Sequence, residues 1–286
     1  MAAVEDVAKD GAAVRAQARR ASPLWVGLVL VGAISGAAMV GPYLTGSSPT
    51  DMSLDFLAPP SAAHPFGTDS FGRDVLARLW YGTRISLVVG LGTMVTTTVL
   101  GTAVGLLAGY YPRLDEWLMR TMDVFMAFPA MLLALGIMAA LGRTSWNVLV
   151  ALTIVYTPRT ARVVRSVALS VRQLVFVDAA RALGAPDRRV LVYHVLPNVV
   201  PAILVQATFI FGYAILAEAG LSFIGVGIQP PVASLGNILG EARVYLREAP
   251  WLTFLPGIWI VLLVLGINLM GDGLRDTLDP RIRHMV

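Results

Sequence analysis

The 286-residue chain is 56% hydrophobic and only 14% charged, with a mean hydropathy of +0.71, whereas soluble globular proteins carry about 25% charged residues. A soluble enzyme is excluded, and the fold class expected is an all-α polytopic membrane protein. The net charge of +4 comes from arginines set between apolar runs, so no nucleic-acid partner is expected. Cysteine is absent, which removes disulfides and thiolate metal ligands. His64, His194 and His284 are scattered without a second ligand nearby, so no metal site is expected. Lys9 is the sole lysine among 22 basic residues. A G-x-x-x-x-G-K-[ST] phosphate loop therefore cannot exist here.

Residues 1–22 are polar and alanine-rich and read as a disordered cytoplasmic tail. Residues 23–44 form a first transmembrane helix, too long for the apolar core of a cleaved signal peptide. Residues 45–84, punctuated by Pro49, Pro59, Pro60 and Pro65, read as an extracytoplasmic loop ending in an interfacial amphipathic helix. Leu76, Leu79 and Trp80 share its apolar face, with Arg73, Asp74 and Arg78 directed elsewhere. A transmembrane core then occupies 85–275, followed by a cytoplasmic tail at 276–286.

Within that core, Ile85 to about Tyr110 forms the second span. Gly101, Gly105 and Gly109 strip one of its faces to backbone at a four-residue repeat, a helix-packing signal. The third span, about 119–141, carries Asp123, for which Arg120 is the expected partner, and Pro129 should kink it. A fourth begins near Ser145 and leaves the bilayer through Arg159, Arg162 and Arg165, which can snorkel. The fifth, about 200–221, holds Glu218 and leads into a long outer loop with helical pieces. The sixth, about 251–270, is expected to break at Gly271 and Gly273.

Between the fourth and fifth spans, residues 165–201 form a charged helix hairpin. Val171 to Leu183 should be helical, Gly184 falls at a left-handed C-cap, and Pro186 with Asp187 suits a new helix ending at Pro197. Of the 22 basic residues, 16 lie in segments on the hairpin's side of the membrane, which places the hairpin and both termini in the cytoplasm. It is too polar for lipid and too short to fold alone, so it must dock on another surface.

Asp178, Ala179 and Ala180, then Gly184 and Ala185, then Leu196 and Pro197 resemble the EAA loop of ABC importer permeases. HPFGTDSFGRDVLARL, DAARALGAP, LAEAGLSFIGVGIQPP and NLMGDGLRDTLDPR, in that order over most of residues 64–284, resemble the second, C-type permease subunit of dipeptide/oligopeptide importers. Two positions depart from the family pattern: Asp178 stands where glutamate is usual, and PPVASLG at 230–236 lacks the usual tryptophan. The resemblance implies a type I importer permease of six transmembrane helices in a bacterial plasma membrane. It implies no catalytic residue and no cofactor on this chain, ATP and Mg residing on partner ATPase subunits. The hairpin residues would couple to those subunits, and a homologous permease and an extracytoplasmic peptide-binding protein complete the assembly. Nickel chelates or glutathione are alternative cargoes. A secondary transporter would require ionisable groups deep in the spans, and only Glu218 and Asp123 come near; Glu218 is a candidate outer-gate residue, paired with a group of the partner permease.

Overall fold

The computed structural model describes residues 2–46 and 48–278, without the side chains of residues 2–22 and 44; the last residues of the expected C-terminal tail, 279–286, lie outside the described residues. The described segments form helices joined by loops, with one isolated bridge between Thr68 and Asp74.

Helix α1 runs over Ala2–Thr45 and crosses the membrane with its apolar part, Pro23–Tyr43. The segment expected as a disordered tail is thus a continuation of this helix. Its alanine-rich stretch has high helix propensity and meets no proline before Pro23. Pro42 creates a defect at the far end, because it has no N–H to donate to the Ala38 carbonyl four residues back. Arg84 fills that vacancy from outside: its Nε donates to the Ala38 oxygen at 2.7 Å and its Nη2 to the Met39 oxygen at 2.5 Å. The guanidinium also lies over the Tyr43 and Tyr81 rings. Replacing it by leucine leaves a freed carbonyl without a donor where water is scarce. Arg84→Leu should therefore loosen α1 by about 1–3 kcal/mol, read as faster amide exchange around Ala38 and Met39 with the remaining helices unchanged.

Helix α2 (Val75–Tyr110) is 36 residues long and unbroken. The helix expected to lie along the interface is its first part, continuous with the second span. Asp74 caps it by accepting from the Ala77 amide at 2.8 Å, and His64 Nδ1 is bound to the same carboxylate at 2.8 Å. Arg73 and Arg78 do not face solvent. Both are buried, bridging Asp69 at 2.7 and 2.5 Å and Glu241 at 2.6 and 2.7 Å. An arginine this close to an apolar face is tolerable only because two carboxylates surround it.

The third span is not a kinked rod. Helices α3 (Pro112–Met126) and α4 (Ala130–Leu141) meet at 88° across a three-residue break. Pro129 disfavours helical backbone at Phe128 as well as lacking an N–H, so the chain turns instead of bending. Helix α5 covers Ser145–Arg172. After the hairpin come α8 (Leu196–Phe223), a short helix α9 (Leu235–Ala242) and α10 (Trp251–Leu278). Gly271 and Gly273 do not end α10. They lie within it, because each faces a close neighbour: a Cβ on Gly271 would meet Thr208 Oγ1 at 2.7 Å, and one on Gly273 would meet Leu24 Cβ at 2.5 Å.

Six spans were expected. Four helices among the described residues are long and apolar enough to cross a membrane, five if α3 and α4 form one span. Helix α5 falls short of that apolarity because Arg159, Arg162 and Arg165 occupy its second half. It is nevertheless central, wedged between α2 and α8, with Val148, Ala151, Leu152, Ala161 and Val164 fully or nearly fully buried.

Candidate functional site

The hairpin is built in three pieces. Helix α5 ends at Arg172, a two-residue turn follows, and α6 covers Val175–Ala182, so the expected helix from Val171 is divided at Gln173 and Leu174. Gly184 has φ +82°. Its amide donates to the Arg181 carbonyl at 2.9 Å and the Ala185 amide donates to the Ala180 carbonyl at 3.1 Å. Those two bonds are the 5→2 and 6→1 pair of a Schellman motif, with Ala180 and Ala185 as its apolar contact. The chain re-enters a helix at α7 (Asp187–Val190), passes through a π-helical turn at Leu191–Val195 and continues as α8. The helix therefore does not stop at Pro197. Proline is accepted in the first turn of α8, and the wider turn before it leaves room for the missing N–H.

The inner face of this hairpin is sealed to the membrane helices. Val177, Val190, Val195 and Val199 are fully buried against Leu106 and Tyr110 of α2 and Val164 and Ala168 of α5. Tyr110 is the pivot: its hydroxyl donates to Asp187 at 2.8 Å, and the Arg181 guanidinium lies 5.2 Å from its ring centre. Its outer face is the reverse. Val175, Leu183 and Tyr193 are strongly exposed, Leu183 at 88%, with Phe176 and Leu174 beside them. Asp178 and Ala179 lie on that open face, Asp178 paired with Arg181 at 3.3 Å. Ala180, Ala185 and Leu196 are half-buried against the inner core, while Pro197 is exposed. The predicted coupling residues thus split into an outward pair, Asp178 and Ala179, and an inward set that fixes the turn.

Gly101, Gly105 and Gly109 all face α5. A Cβ on them would approach Thr160 Cβ at 2.6 Å, the Ala161 carbonyl at 2.6 Å and Ala168 Cβ at 2.8 Å. Asp123 pairs with Arg162, not Arg120, and Arg120 turns to Glu116. The longer reach across to α5 is available because α3 lies alongside it, and Asp115 binds Arg165 in the same way, at 2.5 Å for its second oxygen. Sequence reading missed Tyr110 and these inter-helix pairs. The complementary charges at 115–123 and 159–165 were visible, but their separation of about 40 to 50 residues gave no register.

Glu218 is fully buried and is hydrogen-bonded within this chain. Ser86 Oγ donates to one oxygen at 2.6 Å and Ser222 Oγ to the other at 2.8 Å. Ser222 also accepts from the Ile228 amide at 3.0 Å and Ser234 caps α9 by accepting from the Asn237 amide. The acid therefore ties α2, α8 and the loop after α8 together. Among the described residues no group of three metal-ligating side chains occurs.

Residues 101–284 match the binding-protein-dependent transport system inner membrane component family. The chain is 44% identical to the dipeptide transport system permease protein of Alkalihalophilus pseudofirmus, covering 90% of this chain and 86% of that protein. It is 41% identical to the di/tripeptide transport system permease protein of Pseudomonas aeruginosa, over 90% and 88% of the two chains. A glutathione transport system permease protein of Pectobacterium atrosepticum is 44% identical over 78% and 75%. In fold, a chain of the inward-facing MetNI methionine ABC transporter superposes with a TM-score of 0.58 at 20% identity, covering 72% of this chain and 96% of that one. A multi-pass helical core, a polar hairpin packed on its helix ends and these relatives agree: the chain belongs to the binding-protein-dependent transport system inner membrane component family.

Proposed function

We propose that this chain is the second permease subunit of an ABC importer for short peptides, inserted with both termini in the cytoplasm. A homologous permease completes the translocation path, an extracytoplasmic binding protein delivers the peptide, and cytoplasmic ATPase subunits drive the cycle. The observation that carries this reading is the two-sided hairpin. Its valine face is locked into the ends of α2, α5 and α8, while Leu183, Val175 and Tyr193 offer an apolar outer face where an unpartnered surface would be costly. A helix fixed in this way transmits a push as a rigid body. Asp178 and Ala179 would sit at the contact, and Gly184 with Ala185 would hold its angle. ATP and Mg belong to the partner subunits, since no phosphate loop can be assembled around Lys9. Peptide cargo is favoured over glutathione by the names of the two relatives that cover most of both chains.

The test is a pair of substitutions on the outer face. Leu183→Arg with Val175→Arg removes nothing from the core, so the chain should reach the membrane normally. Copurification of the ATPase subunits and peptide uptake should fall at least tenfold, as when central interface anchors are lost. Undiminished ATPase capture would overturn the coupling role.

A further inference from the structure

Arg159, Arg162 and Arg165 repeat along α5, but the fold treats them differently. Arg165 pairs with Asp115 and Arg162 with Asp123, both on α3. Arg159 has no carboxylate partner among the described residues. Its guanidinium lies 4.9 Å over the ring of Tyr213 on α8, and Tyr213 is stacked on Tyr156 with centroids 6.4 Å apart. Arg159 and Tyr213 are both exposed on the chain's surface.

Depth gives that exposure its meaning. Arg159 is about 20 Å from either end of α5 at 1.5 Å per residue. Gly212, next to Tyr213, faces Ile267 and Asn268 of α10, and Gly266 of α10 touches Leu30 and Val31 of α1. Leu30 and Val31 lie near the middle of the apolar run Pro23–Tyr43. The guanidinium is therefore close to the bilayer midplane, about 15 Å from either headgroup region, too deep for its stem to reach water by snorkelling. A cation at that depth on a lipid-facing surface is strongly disfavoured, so this face must border water or a polar group.

We propose that Arg159, with the hydroxyls of Tyr156 and Tyr213, lines the translocation path and binds the C-terminal carboxylate of the passing peptide halfway across the membrane. This rests on the peptide-importer reading. A guanidinium placed over a tyrosine ring keeps its N–H donors free for a carboxylate, which its planar fork matches. Every linear peptide with a free C-terminus carries that group whatever its side chains, so the contact suits a path that must accept many sequences. The absence of an internal acid leaves the fork available for cargo.

The experiment uses the complete importer in proteoliposomes, with Ala-Ala as probe. Arg159→Gln should lower Ala-Ala uptake at least tenfold, while ATPase stimulation by loaded binding protein and copurification of the partner permease stay at wild-type levels. Arg159→Lys should recover part of the uptake. Because the chain has no cysteine, Tyr156→Cys introduces a unique thiol in it. That thiol should react with a charged, water-soluble methanethiosulfonate and be protected severalfold during Ala-Ala turnover. Unchanged uptake in Arg159→Gln, or an inert thiol, overturns the proposal. Loss of the partner permease from Arg159→Gln does so too, by showing that Arg159 pairs with an acid of that subunit. If the unmodified importer takes up no Ala-Ala, the peptide reading itself fails, and thiol reactivity still reports whether the face is wet.

Discussion

Gly105→Leu should keep the chain from accumulating in the membrane, the largest single-residue effect expected in this fold. Helices α2 and α5 run parallel at backbone contact along the Gly101, Gly105 and Gly109 face. A Cβ at Gly105 would lie 2.6 Å from the Ala161 carbonyl and 2.7 Å from Val164 Cβ. Ordinary overpacking costs about 1–3 kcal/mol because neighbouring side chains give way. Here one neighbour is a carbonyl in mid-helix and cannot give way without moving α5. Moving α5 pulls Val164 and Ala168 away from the hairpin valines, so the damage spreads to the hairpin end of the bundle. A loss above about 3 kcal/mol is expected, measured as depleted membrane-fraction protein and a lowered melting temperature in detergent. Gly136→Leu on α4, where a Cβ meets nothing within 4 Å, is the control and should behave as wild type. Normal accumulation of Gly105→Leu would show that the helices are not held at backbone distance.

What could be read from the sequence divides along physical lines. Features set by one residue's own backbone or by short spacing were legible. Gly184 announces its positive φ, and the glycine triplet announces a close helix contact. The identity of the partner helix was not legible, because Ala161, Val164 and Ala168 are unremarkable in an alanine- and valine-rich chain. Proline gave mixed results for one reason: its effect depends on position within the helix. Pro129 turned a span through a near-right angle, Pro197 was absorbed into a first turn, and Pro42 was repaired by Arg84 from another helix. Charges were the least legible. Arg78 is set off the apolar face by its position on a helical wheel, yet its partner Glu241 lies 163 residues onward. Asp123 was given its local arginine when the tertiary one was better placed. Local periodicity can rank a residue as charged and off the apolar face, but only the packed helices decide whether that face meets water or two carboxylates.

Glu218→Leu should release the loop between α8 and α9 from the helix bundle and reduce transport at least tenfold. The leucine is close enough in volume to occupy the site, so the packing around it survives. What disappears is the acceptor for Ser86 and Ser222, and an unsatisfied buried hydroxyl costs about 1–3 kcal/mol. Ser222 also receives the Ile228 amide, and Ser234 receives that of Asn237 at the start of α9. Freed hydroxyls will seek other acceptors, and the loop they organise loses its fixed seat. Helix α9 is otherwise held at backbone distance, with Gly236 against the Ala219 carbonyl, and through Glu241 it anchors Arg73 and Arg78 at the head of α2. Loosening it therefore disturbs the whole end of the bundle where the head of α2 meets α9, which is how an acid with no solvent access can act on helices it does not touch. Amide exchange at Ile228 and Asn237 should accelerate by one to two orders of magnitude while the hairpin amides at Gly184 and Ala185 stay as slow as in the wild type. Glu218→Gln keeps one carbonyl acceptor and should fall between. Full transport by Glu218→Leu, or unchanged exchange at Ile228, would rule out this latch.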